Sequence, residues 1–296
     1  MTTIKQALAD ARHQLRAASP SPAVDASVLL CHVLECPHSH LIAWPDKVLN
    51  RQQAHDFDTL VQQRIAGQPV AYLTGEKEFW SLSLKVTTDV LIPRPETETL
   101  IEFVLENFSG RTGMKIADVG TGSGAIACAL AAEHPQWVFL ATDVSATALD
   151  IARFNASLHN LENITFAQGE WLSALGDKDF DLIISSPPYI ATNDTHLAEG
   201  DVRFEPQAAL TSGENGMDAI TLLTQQSGDY LVHDGWLVVE HGYDQQQPVF
   251  ERFSEAGFTH ITQLPDLAGQ PRMTAGRYRQ TTPCPRHCRA GSRSDR

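Results

Sequence analysis

The sequence predicts an α/β fold, an open and mostly parallel sheet with helices on both faces, behind a small N-terminal helical domain. Three observations carry this. From Lys115 to Ile184 short apolar runs alternate with helical stretches, an order that implies a parallel sheet because right-handed crossovers leave few other arrangements. The first run is closed by a tight glycine turn and the second by an acid, as in sheets that bind ligands at the carboxyl ends of their strands. Residues 1–75 show helical spacing instead.

In chain order, Ile4, Leu8, Ala11 and Leu15 share a helical face between Thr3 and Ala18, and Ser19-Pro20-Ser21-Pro22 breaks that helix. A second helix is predicted from Asp25 to Leu34, a loop from Pro37 to Asp46, and a third helix from the cap Asn50 through Leu60 and Ile65 to Gly67. Alternation from Phe79 to Val86 predicts one strand with Val90-Leu91-Ile92 as its partner, making residues 76–98 a hairpin linker. Within it, Ile92-Pro93-Arg94-Pro95 is stiffened by both prolines and lies at a domain join, where ligand clefts often form.

The α/β domain is assigned to residues 99–280. After a helix carrying Leu100, Ile101, Val104 and Leu105, strands are predicted over Lys115–Val119, Val138–Asp143, Ile164–Ala167 and Phe180–Ile184. Helices are predicted from Ala125 to Glu133 and from Ala146 to His159. Further on, Leu237–Glu240 and Met273–Tyr278 extend the sheet around a helix from Gln247 to Ala256. Residues 281–296 are basic and lack apolar periodicity, so they read as a disordered tail.

Composition narrows the function classes. A chain of 296 residues with 42% hydrophobic content accommodates one large and one small domain. No apolar run is long enough to cross a bilayer and the N-terminal helix has no signal-peptide core, so a cytoplasmic protein is expected. The cysteines, Cys31, Cys36, Cys128, Cys284 and Cys288, are odd in number and scattered; reduced thiols are expected rather than a disulfide framework. Cys31 and Cys36 with His32, His38 and His40 match no zinc spacing. A net charge of −14 argues against a protein that coats phosphate backbones, which takes clustered Lys and Arg.

Two loops carry candidate chemistry. Asp118 precedes Gly120-Thr121-Gly122-Ser123-Gly124, a tighter turn than the Gly-x-Gly-x-x-Gly that cradles a pyrophosphate. That spacing resembles the S-adenosylmethionine loop, whose ligand carries no phosphate. On that reading Asp118 lies near the amino acid end of the cofactor, Asp143 holds the ribose hydroxyls, and Glu170 and Trp171 meet the adenine. The second loop is Ser186-Pro187-Pro188-Tyr189. Prolines lack N–H groups and fix φ, so carbonyls there are pre-aimed to accept from an –NH2 group, while Tyr189 offers a flat face to a planar amide or base. Glu240 and His241, after a later strand, read as structural or peripheral rather than as an acid–base pair.

Four stretches are more specific than any single motif: Pro69-Val70-Ala71-Tyr72-Leu73-Thr74-Gly75, Leu91-Ile92-Pro93-Arg94-Pro95-Glu96-Thr97-Glu98, the loop from Asp118 to Gly124, and Gly200-Asp201-Val202-Arg203-Phe204-Glu205-Pro206. Through them the chain resembles the HemK/PrmC-type methyltransferases, which modify the glutamine of the Gly-Gly-Gln motif in peptide chain release factors. The likeness runs from the N-terminal helices to about Gln280. It implies a class I, Rossmann-like methyltransferase domain with a seven-stranded sheet, S-adenosyl-L-methionine as cofactor, and a helical domain that helps hold a class 1 release factor. No membrane or nucleic-acid partner is implied, and a monomer is expected.

The family's Asn-Pro-Pro-Tyr falls on Ser186, Pro187, Pro188 and Tyr189, so the first position departs from the pattern. In the family the asparagine oxygen and the following proline carbonyl accept the two N–H groups of the substrate amide. A serine oxygen sits one atom closer to the backbone, so the resemblance implies a folded cofactor binder with reduced methyl transfer. Ser186 also borders the cofactor on this reading. Two other functions compete: a DNA methyltransferase acting on the exocyclic amine of cytosine, and a catalytically weak protein that binds release factors.

Overall fold

The computed structural model describes residues 2–176 and 178–279; the tail predicted from 281 to 296 lies outside them. Helix α1, Ile4–Gln14, starts at a capping box in which the Thr3 hydroxyl accepts from the Gln6 N–H and the Gln6 side chain accepts from the Thr3 N–H. Helix α2, Pro22–Leu34, begins three residues before the predicted start, because a proline in the first turn gives up an N–H that has no helical partner anyway. The stretch expected as a loop contains a short helix, α3, His38–Ala43, whose Leu41 reaches the core. Helix α4, Arg51–Ile65, opens on a second capping box between Asn50 and Gln53, and α5, Val70–Thr74, follows Pro69. Ile4, Leu15, Leu29, Leu30 and Val61 pack into a core of their own, apart from the sheet.

The predicted hairpin takes a different form. Strand β1, Glu76–Phe79, pairs with β2, Leu82–Lys85, across Trp80 and Ser81, both of which have positive φ, at 48° and 60°. Two left-handed residues in a row make the tight turn whose twist suits a hairpin, so the run read as one strand folds back on itself. Val90-Leu91-Ile92 forms no strand and passes over the crevice described below. Asn155 fixes the hairpin's end: its side chain accepts from Lys85 N–H at 2.7 Å and donates to the carbonyls of Lys85 and Ser123.

After α6, Glu98–Phe108, the α/β pattern sets in: β3, Lys115–Val119; α7, Ala125–Glu133; β4, Val138–Asp143; α8, Ala146–Leu158; β5, Ile164–Gln168; and β6, Phe180–Ser185. Helix α9, Asp218–Gln226, precedes a long β7, Leu231–Glu240, and α10, Gln246–Glu255, leads to β8, Phe258–Pro265, and β9, Pro271–Tyr278. Of these, α9 and β8 escaped the sequence reading, and β7 begins six residues earlier than the apolar run that signalled it. The sheet has seven strands in the order β5-β4-β3-β6-β7-β9-β8. Its first five are parallel, and β9 runs antiparallel between β7 and β8.

This order determines where a ligand fits. The chain leaves β3 toward β4 and β5, then crosses back to place β6 on the other side of β3. Loops after β3 and β6 therefore head in opposite directions, opening a crevice at the strands' carboxyl ends.

Candidate active site

The crevice holds a cavity of about 350 Å³. The glycine loop forms one side. Gly120 and Thr121 N–H groups both donate to the Thr142 carbonyl at 2.8 Å, Gly122 N–H donates to Asp143 Oδ2 at 2.9 Å, and Gly124 N–H donates to the Thr121 carbonyl at 2.8 Å. Gly124, at φ +82°, also lets α8 close in, since a Cβ there would stand 3.1 Å from the Ala152 Cβ.

Asp118 lies beneath this loop and off the cavity wall. Its Oδ2 accepts from Thr121 Oγ–H at 2.6 Å and from Ala127 N–H at 3.2 Å, while Oδ1 has no partner among the described residues. Burial pushes this carboxyl up to about 7. The placement has a chemical consequence. Most of the loop's amides are engaged within the protein, and an acid sits at the N-terminus of α7, where a dinucleotide fold receives a pyrophosphate. A phosphate is disfavoured here.

Asp143 ends β4 on the cavity wall, its Oδ1 accepting from Ser145 N–H at 2.9 Å. Glu170 and Trp171 form the wall beyond β5, and Trp171 is held at φ +48°, a left-handed conformation that costs energy for a bulky residue.

The proline loop forms the opposite side. Strand β6 stops at Ser185, whose hydroxyl donates to the Val119 carbonyl at 2.6 Å, and Ser186, Pro187 and Pro188 then line the cavity. Tyr189 turns away from it. The phenol donates to Glu240 Oε1 at 3.3 Å, and burial together with that carboxylate raises the pKa of the phenol. The Tyr189 carbonyl accepts from Gln245 Nε2 at 2.9 Å and lies so close to Gly216 that a Cβ there would come within 2.1 Å. Ile190 exchanges hydrogen bonds with Leu210 and Ser212.

The rigid linker closes the top of the cavity with Leu91, Pro93, Arg94 and Thr97, joined by Pro206 and Ala209 from a later loop. Arg94 Nη2 pairs with Glu205 Oε2 at 2.6 Å. One turn earlier in that loop, Asp201 Oδ1 is 2.7 Å from Arg64 Nη1, and Arg64 Nε is 2.7 Å from Asp25 Oδ2. This buried arginine straps the loop to the N-terminal helices.

Gly120, Thr121, Gly122, Ser123, Asp143, Glu170, Trp171, Ser186, Pro187 and Pro188 thus line one cavity, whereas Asp118, Gly124 and Tyr189 support it from behind. The sequence reading missed Thr97, Gln245 and Glu240. Glu240, read as structural or peripheral, is 1% exposed directly behind the proline loop; Thr97 Oγ–H donates to it at 2.7 Å and the Tyr189 phenol at 3.3 Å. Desolvation raises its pKa, opposed by these hydroxyls and by Arg272. His241 is structural as expected: both ring nitrogens are engaged, with Thr274 and the Gly242 carbonyl.

Comparison with known proteins accords with this geometry. Residues 6–75 match the family description "PrmC N-terminal domain" and residues 97–217 match "Methyltransferase small domain". Proteins named release factor glutamine methyltransferase are similar along nearly the whole chain. The one from Vibrio cholerae is 46% identical over 94% of this chain and 97% of its own. Those from Aliivibrio fischeri and Escherichia coli are 44% and 41% identical, covering 88% and 92% of this chain and 92% and 98% of theirs. The chain belongs to the release factor glutamine methyltransferase family.

Among solved structures, the hMettl16 catalytic domain in complex with MAT2A 3'UTR hairpin 6 aligns with a TM-score of 0.55 at 18% identity, covering 77% of this chain and 82% of that one. The shared feature is the class I methyltransferase fold. As a family member this chain is a methyltransferase enzyme that uses S-adenosylmethionine. The cavity suits that cofactor on its own terms: the loop disfavours phosphate, and the acids Asp143 and Glu170 on the wall favour a ligand with ribose hydroxyls and positive charge. Among the described residues no helix is long and apolar enough to cross a membrane.

Proposed function

We propose that this enzyme methylates the side-chain amide nitrogen of the glutamine in the Gly-Gly-Gln motif of peptide chain release factors, at a rate held down by Ser186. The observation that carries this reading is the meeting of the glycine loop and the Ser186–Tyr189 loop across one cavity, in a chain that belongs to this family along nearly its whole length. S-adenosylmethionine, held by the glycine loop, Asp143, Glu170 and Trp171, would supply an electrophilic methyl to the amide nitrogen, which would shed its proton after the transfer.

The chain's own residues address the weakness of that nucleophile. An amide lone pair is delocalised into its carbonyl, so acceptors for both N–H groups favour the pyramidal nitrogen that the in-line reaction needs. The Pro187 carbonyl serves as one acceptor, since no donor among the described residues occupies it. The Ser186 hydroxyl serves as the other, with shorter reach than an asparagine. Asp143 holds the ribose, Glu170 and Trp171 hold the adenine, and the apolar surfaces of Pro93, Pro188 and Pro206 keep water from the reacting centre. Among the described residues Arg94 is the cation that lines the cavity, and it is already paired with Glu205, which counts against a site that holds a DNA backbone.

The test is transfer of a labelled methyl group from S-adenosylmethionine to an unmodified release factor, with DNA as control acceptor. Ser186→Asn should raise kcat by roughly 10- to 100-fold, the equivalent of regaining one transition-state hydrogen bond. An unchanged rate would remove Ser186 as the limiting feature, and labelling of DNA alone would overturn the substrate.

A further inference from the structure

Sheet register brings Glu240 to the proline loop. Ser185 pairs with Val239 in the parallel β6–β7 ladder, so the next residues of the two strands, Ser186 and Glu240, emerge side by side. Glu240 is 1% exposed, and two hydroxyls donate to its carboxylate, Thr97 to Oε2 at 2.7 Å and Tyr189 to Oε1 at 3.3 Å, with Ser186 placed beside it by the strand register. Arg272 faces it electrostatically but binds Asp266 through Nε at 3.2 Å.

An ionised carboxylate only accepts hydrogen bonds. In its ionised form Glu240 draws the protons of neighbouring hydroxyls toward itself, and a Ser186 hydroxyl turned to it keeps its lone pairs for the cavity. Without such a partner a serine hydroxyl rotates, presenting a proton as readily as a lone pair, and a proton aimed at an amide N–H repels it. We infer that Glu240 is a positioning residue for methyl transfer, fixing the side chain at position 186 as an acceptor toward the substrate amide. The inference rests on the glutamine reading above. It extends to asparagine at the same position, whose amide N–H would go to Glu240 and whose oxygen would face the substrate.

The experiment is a double-mutant cycle on full-length protein with unmodified release factor as substrate. Glu240→Gln keeps the shape but replaces one acceptor oxygen with an –NH2, so it cannot accept from hydroxyls on both sides of the group. In the Ser186 protein it should lower kcat by ~10-fold, while KM for the release factor changes less than ~3-fold and calorimetric affinity for S-adenosylmethionine stays constant. In a Ser186→Ala background the same change should lower kcat by less than ~3-fold further, because the group it orients is gone. Glu240→Asp, which keeps the charge but withdraws it by one methylene, should show the same dependence on position 186 and serves if the glutamine variant does not fold. Equal losses in both backgrounds, or a loss of cofactor affinity, would reduce Glu240 to a structural role and overturn the inference alone. Failure of every variant, Ser186→Asn included, to label the release factor would overturn the substrate reading and the inference with it.

Discussion

The two sides of the cavity are built in opposite ways. The glycine loop is braced by what is near it in the α/β pattern: Thr142 and Asp143 from the next strand, Asp118 from its own, and Ala152 from the next helix. The proline loop is braced from far along the chain, by Thr97 before the sheet and by Gly216, Glu240 and Gln245 after it. The lesson is that the cofactor side is built from consecutive elements, β3 to the loop after β5, whereas the acceptor side exists only once β7 and the loop before α9 have docked. Changes on the two sides should separate into effects on cofactor affinity and effects on turnover.

The largest separation is expected at Asp143. Asp143→Ala removes the carboxylate that holds the Gly122 and Ser145 N–H groups and borders the cavity. Calorimetry should show affinity for S-adenosylmethionine falling by on the order of 100-fold or more, as expected when hydrogen bonds to a charged group are lost. On the acceptor side, Gly216→Ala puts a Cβ within 2.1 Å of the Tyr189 carbonyl and adds strain at φ +73°. It should lower kcat by ~10-fold or more through a displaced proline loop and leave cofactor affinity within ~2-fold. Cofactor affinity falling in parallel with kcat would mean the two sides are one unit.

A smaller effect, on the unliganded protein, concerns Asp118. Its pKa moves from 3.8 to about 7 on folding, so the folded state binds the extra proton. The stability it contributes is complete below about pH 4, declines as pH rises toward 7 and is level above, a span of up to roughly 4 kcal/mol. Asp118→Asn removes that slope. Its Tm relative to the parent should therefore rise between pH 4 and pH 8, and a constant difference would place the carboxyl's titration elsewhere.

Most of the fold was legible because buried parallel strands announce themselves as short apolar runs with sharp ends. Lys115–Val119, Ala125–Glu133 and Val138–Asp143 have the predicted bounds. The hairpin was misjudged because a two-residue left-handed turn through Trp80 and Ser81 has no glycine or asparagine to signal it. Strand β8 went unread because it lies at the sheet edge and is half polar, with only Phe258 buried. In the site, loop spacing pointed to residues on the wall such as Asp143 and Ser186 and to Asp118, Gly124 and Tyr189, which lie behind it, while Thr97, Gln245 and Glu240, brought in from distant parts of the chain, gave no signal.

By itself the sequence determined the strand order's chemistry: a glycine turn after β3, an acid after β4, an acid and an indole after β5, and a proline loop after β6. Local rules suffice for that, since each loop is positioned by the strand it ends. Only the tertiary structure decided that Asp118 lies beneath the cavity rather than on its wall, and that Glu240 stands beside Ser186. Both depend on which way a side chain turns and on how two distant strands align, and strand register is fixed by the packing of the whole sheet.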